Sequence, residues 1–95
     1  MKPSEALAEI LAEFNGSPTA MAAEIGGGVK RQNIEYWISV GYVPEVHAPF
    51  VERALKGRFS CEQISKPGTR WARIADKSWP WHKGGRPTLE IGRAS

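Results

Sequence analysis

Three consecutive glycines, Gly26-Gly27-Gly28, interrupt a stretch that otherwise reads as two short helices. Each glycine costs a helix about 1 kcal/mol relative to alanine, and lacking a Cβ it enters left-handed backbone freely. A run of three therefore ends one helix and turns the chain before the next. Upstream, Thr19 to Ile25 places Met21, Ala22 and Ile25 on one apolar face. Downstream, Val29 reopens the pattern, and Ile34, Trp37 and Ile38 recur at i, i+3 and i+4. This predicts a second helix from about Lys30 to Val40, ended by Gly41. Its other side carries Lys30, Arg31, Gln32, Asn33, Glu35 and Tyr36.

Two short helices across a glycine turn, the second polar and basic at its start, have the pattern of a DNA-binding helix-turn-helix. Arginine reads guanine edges in the major groove and glutamine or asparagine reads adenine edges, each bidentate pair contributing roughly 1–3 kcal/mol of discrimination. The plain alternative for Arg31 and Gln32 is a solvated helix face. Trp37, between Ile34 and Ile38, reads as core.

The flanking chain supplies the rest of a small bundle. A first helix is predicted from about Ser4 to Phe14, with Ser4 as its N-cap. Its core stripe is Leu7, Ile10, Leu11 and Phe14; Glu5, Glu9 and Glu13 line a solvated face. Asn15-Gly16 stops it through a left-handed cap. Ser17 caps the next helix, with Pro18 at the first helical position, where its missing N–H costs nothing. A fourth helix begins at Pro44 or Pro49 and ends near Lys56-Gly57, with Phe50 or Val51, Ala54 and Leu55 facing the core. Ser60-Cys61-Glu62-Gln63 has the form of a capping box and predicts a short fifth helix, Cys61 to Ile64.

Beyond Lys66 the composition shifts to Pro, Gly, Trp and basic residues. Three of the four tryptophans, Trp71, Trp79 and Trp81, lie here. Trp71 to Ala75 fits one short strand, Trp79-Pro80-Trp81 an extended or turn segment, and Gly84-Gly85-Arg86-Pro87 a linker. The expected organisation is a helical unit over residues 1–65 and a non-helical basic tail over 66–95. The tail's aromatics either bury against the helical unit or a second copy, or stack on single-stranded bases between Arg70, Arg73, Lys77 and Lys83.

Charge is unevenly spread. Residues 1–28 hold Lys2 against Glu5, Glu9, Glu13 and Glu24, a net of −3, whereas residues 29–95 hold twelve Lys/Arg against six Asp/Glu, a net of +6. The basic balance begins where the polar helix begins, which suits a phosphate-facing surface. The single Cys61 rules out an internal disulfide, and with His47 and His82 it falls short of a four-ligand zinc site. A reduced cytoplasmic setting is the expectation, with neither a signal peptide nor a membrane span in the sequence.

With these elements placed, the chain resembles the Cro/YdaS-type helix-turn-helix regulators of phage and prophage origin, over roughly Leu7 to Trp71. The resemblance rests on Thr19-Ala20-Met21-Ala22 leading into Ile25-Gly26, on Val29 with Ile34 and Trp37, and on Gly41-Tyr42-Val43-Pro44. Val51-Glu52-Arg53-Ala54 and Ser60-Cys61-Glu62-Gln63-Ile64 reinforce it. That family has one glycine between the two helices where this chain has three. The resemblance implies an all-α fold of four to five helices, sequence-specific binding of double-stranded DNA, a homodimer, and transcriptional repression in a bacterial or phage-infected cell. Carried onto this chain, the base-contacting positions are Arg31, Gln32 and Tyr36. Lys30, Asn33 and Thr19 are the positions for further phosphate or base contacts.

No paired carboxylates, metal-ligand cluster or phosphate loop points to an enzyme, and Gly26-Gly27-Gly28 lacks the Lys-Ser/Thr of a P-loop. No cofactor is expected. The competing class is a protein-interaction module on the same fold, antitoxin-like or a phage adaptor.

Overall fold

The computed structural model describes residues 2–89. Five helices are followed by a two-stranded sheet: α1 (Pro3–Glu13), α2 (Pro18–Ile25), α3 (Arg31–Val40), α4 (Ala48–Ala54), α5 (Cys61–Ile64), β1 (Trp71–Ile74) and β2 (Arg86–Leu89). The protein is mostly helical but not all-α. The strands pair antiparallel, with Trp71 opposite Leu89 and Ile74 opposite Arg86.

Local chemistry sets the helix ends. At α1 the expected Ser4 cap moves two residues upstream, because Pro3 takes the first helical position and Glu5 Oε1 accepts the Lys2 N–H at 2.8 Å. The same reach-back occurs at α3, where Asn33 Oδ1 accepts the Lys30 N–H, and at α5, where Gln63 Oε1 accepts the Ser60 N–H, both at 2.8 Å. Ser17 Oγ accepts the Ala20 N–H at the head of α2. Gly41, with φ +88 and ψ +17, closes α3 in the left-handed region. Of the two candidate prolines, Pro49 sits in the first turn of α4, while Pro44 heads a separate turn in which its carbonyl accepts from the His47 and Ala48 N–H groups.

The core joins Leu7 and Ile10 of α1, Met21 and Ile25 of α2, Ile34 and Trp37 of α3, Val43, Val51 and Leu55 around α4, and Ile64 of α5. Leu11, Phe14, Phe50 and Ala54 pack at its edge. Ile38 departs from expectation: it is 45% exposed, since Ile34 and Trp37 already fill the face of α3 turned to the core. Gly84-Gly85-Arg86-Pro87 is not a linker but the entry and first half of β2. Gly85 has φ +95, and a Cβ there would collide with the Ile74 carbonyl, so the strands close only around glycine.

Candidate nucleic-acid interface

α3 is held by its buried side. Ile34 and Trp37 are fully buried, and the Trp37 ring lies 5.4 Å from that of His47, tilted by 40°. α2 packs along α3, and the turn between them reverses the chain through three positive φ values, +68, +62 and +84 at Gly26, Gly27 and Gly28. A Cβ on Gly27 would press on the Phe50 ring at 3.3 Å. Three glycines are what this path requires, and it delivers Lys30 directly to the N-cap of α3.

The predicted site residues stand as follows. Arg31 and Gln32 occupy the first two positions of α3, both exposed. Arg31 faces Glu35 one turn on at 3.8 Å, a long and solvated pair that contributes well under 1 kcal/mol and opens readily. Tyr36 is 56% exposed, one turn past Gln32. Lys30 is exposed at the N-cap, and Thr19 is exposed in the first turn of α2. Asn33 is half-buried, and its carbonyl oxygen is engaged by the Lys30 N–H, leaving its amide N–H groups as donors. Lys30, Arg31, Gln32 and Asn33 thus stand together at the start of one helix, with Tyr36 one turn past Gln32.

A second constellation was not foreseen from sequence. Glu52 of α4 is completely buried, and four donors converge on its carboxylate. Arg73 of β1 forks onto it, Nη1 to Oε2 at 2.7 Å and Nη2 to Oε1 at 2.8 Å. The Trp79 indole donates to Oε2 at 2.7 Å and the Cys61 N–H to Oε1 at 2.8 Å. Arg73 also reaches Glu62 Oε1 at 2.6 Å and the Gly85 carbonyl at 3.0 Å. Burial pushes the Glu52 carboxyl upward, but the bonds from Arg73, Trp79 and Cys61 outweigh it and hold the group at about 2. Burial and the Glu52 charge push the Cys61 thiol well above its usual range, so Cys61 is an inert core residue. The sequence did carry a signal: Ala48, Val51, Glu52 and Leu55 fall at i, i+3, i+4 and i+7, a core stripe with one acid in it.

This network fastens the hairpin to the helices. Trp79 is buried and meets Trp81 edge-on at 5.0 Å, and Trp71 Nε1 donates to Ser65 Oγ at 3.0 Å. Trp79 and Trp71 are thus engaged with the helical unit, and Trp81 with Trp79, both Trp71 and Trp81 being half-buried. Among the described residues no group of three or more His, Cys, Asp or Glu could hold a metal ion, and no helix is long and apolar enough to cross a membrane. Comparison with protein-family models, curated proteins and solved structures finds no match to this chain.

Proposed function

We propose that this protein is a sequence-specific double-stranded DNA-binding regulator, with α2 and α3 as a helix-turn-helix and α3 as the helix that enters the major groove. The observation that carries the reading is the division of α3. Ile34 and Trp37 are fully buried, while Arg31 and Gln32 stand exposed in the first turn and Tyr36 one turn later. A recognition helix places its N-terminal residues against base edges. Arg31 and Gln32 are the base-reading pair, with Tyr36 one turn later. Lys30, Thr19 and the Asn33 amide are placed for phosphate or base contact at the two helix starts. Repression by occupancy of an operator, as a homodimer in the cytoplasm, is the corresponding outcome.

Selection of bound sequences from a random duplex pool tests this, followed by competition with unrelated DNA. Arg31→Ala and Gln32→Ala should each cost on the order of 1–3 kcal/mol at one base pair and leave non-specific binding nearly intact. Wild-type affinity of both variants for the selected duplex would reject α3 as the reader. The exposure of Tyr36 and Ile38 favours a second reading, a protein-binding module on the same fold. Under that reading no duplex is selected, and Ile38→Glu, not Arg31→Ala, abolishes binding.

A further inference from the structure

Residues 66–89 carry six Lys/Arg and a single Asp. Arg73 is engaged with Glu52 and Glu62, and Arg86 with Asp76 at 3.1 Å. Lys66, Lys77 and Lys83 are exposed, and no carboxylate among the described residues forms an ion pair with them. Lys77 and Lys83 lie on the loop between β1 and β2, and Lys66 in the turn that leads into β1. That turn borders the end of α3: Lys66 and Thr69 line the same cleft as Tyr42, Val43, Pro44 and Glu45, and the Val43 N–H donates to the Ile64 carbonyl at 2.8 Å. The loop is anchored at several points. Trp79 is buried on Glu52, Asp76 accepts from the N–H and hydroxyl of Ser78, and the Gly84 N–H donates to His82 Nδ1.

We propose that the hairpin and the turn before it are a second, sequence-independent DNA contact, in which Lys66, Lys77 and Lys83 pair with backbone phosphates of the duplex that α3 reads. The inference rests on the reading of α3 given above and adds phosphate contacts to the same duplex. Lysine is a point charge on a flexible stem, suited to a phosphate and without the planar fork that reads a base. Two exposed lysines on an anchored hairpin and a third in the turn before it form no ion pair among the described residues, and a polyanion that engages such cations gains by releasing its condensed counterions. Anchorage through Glu52 means that little order is lost on binding.

The test is the salt dependence of binding by the full chain, read by fluorescence anisotropy on the selected duplex and on a shuffled duplex of equal length. Each phosphate neutralised contributes about 0.9 to the slope of log K against log salt. The triple variant Lys66→Gln, Lys77→Gln, Lys83→Gln should flatten that slope by up to about 3 and weaken both duplexes by a similar factor, on the order of tenfold or more. Its melting temperature should match wild type, and the triple Lys→Arg variant should bind as wild type does. An unchanged slope, a loss confined to the selected duplex, or displacement by poly-glutamate as effective as by DNA would overturn the proposal. Failure of the α3 reading is separate: the pool yields no preferred sequence, while a flattened slope on the shuffled duplex still places phosphates on the hairpin.

Discussion

Glu52 is the residue on which the described chain depends most sharply. A carboxylate with no exposure to water is tolerable only with its charge matched and both oxygens engaged, and here Arg73, Trp79 and the Cys61 N–H supply that. Such a pair adds little stability over a well-packed apolar side chain, yet removing one partner is expensive because the other charge stays buried. Glu52→Gln keeps the shape, leaves one oxygen for four donors and should cost on the order of 3–5 kcal/mol in chemical denaturation. Glu62→Gln, at a position 45% exposed, should cost under about 1 kcal/mol. A Glu52→Gln loss as small as that of Glu62→Gln would mean the network is not held as described. The pH dependence follows from the same geometry. Folding lowers the Glu52 carboxyl from 4.5 to about 2, so its contribution is complete above pH 4.5 and is lost as the pH falls toward 2. Across that window the wild-type melting temperature should fall more steeply than that of Glu52→Gln.

Among the elements, the turn before α3 is the most demanding backbone. Gly26 has φ +68 and ψ −151, a region essentially restricted to glycine, and no atom would meet a Cβ built there. The cost of Gly26→Ala is therefore all backbone, about 1–3 kcal/mol. That pair of angles is the mirror image of polyproline II, so D-alanine at 26, introduced by chemical synthesis, should be tolerated. Equal melting of the L and D variants would show that the turn adopts another path. The elements that were legible in the sequence are those whose ends are written locally: Ser17-Pro18 opening α2, Gly41 closing α3, and Ser60 with Gln63 framing α5. β2 was not legible, because Gly84-Gly85-Arg86-Pro87 has linker composition and its strand character comes from pairing with β1 across a long loop. Ile38 misled because it lies beside two residues that suffice for the core face. The exposed polar face of α3 was legible because polar residues at helical spacing need no tertiary information. Glu52 was hidden for the opposite reason: residue type argues for surface, and only its partners, Arg73 and Trp79, 21 and 27 residues away, explain its burial.

At the scale of the whole molecule, the hairpin is part of the core's electrostatics, which changes what a truncation means. Cutting the chain after Ser65 removes Arg73 and Trp79 together and leaves Glu52 buried with the Cys61 N–H as its remaining partner. Five short helices in a domain of this size have only a few kcal/mol in hand, less than the cost of an unpaired buried charge. The truncated chain should therefore lose cooperative melting at neutral pH, even though no apolar contact among α1, α2 and α3 has been touched. Glu52→Leu in the same truncation removes the charge while filling its volume, and an apolar replacement of a buried ion pair is often neutral or stabilising. That double change should restore a cooperative transition by circular dichroism. The rescued helical unit then isolates the hairpin's other duty: its mass by sedimentation, compared with that of the full chain, shows whether residues beyond 65 hold two copies together. Cooperative melting of the simple truncation within a few degrees of the full chain would show instead that Glu52 reaches water without the hairpin, and that the hairpin is an accessory to the fold.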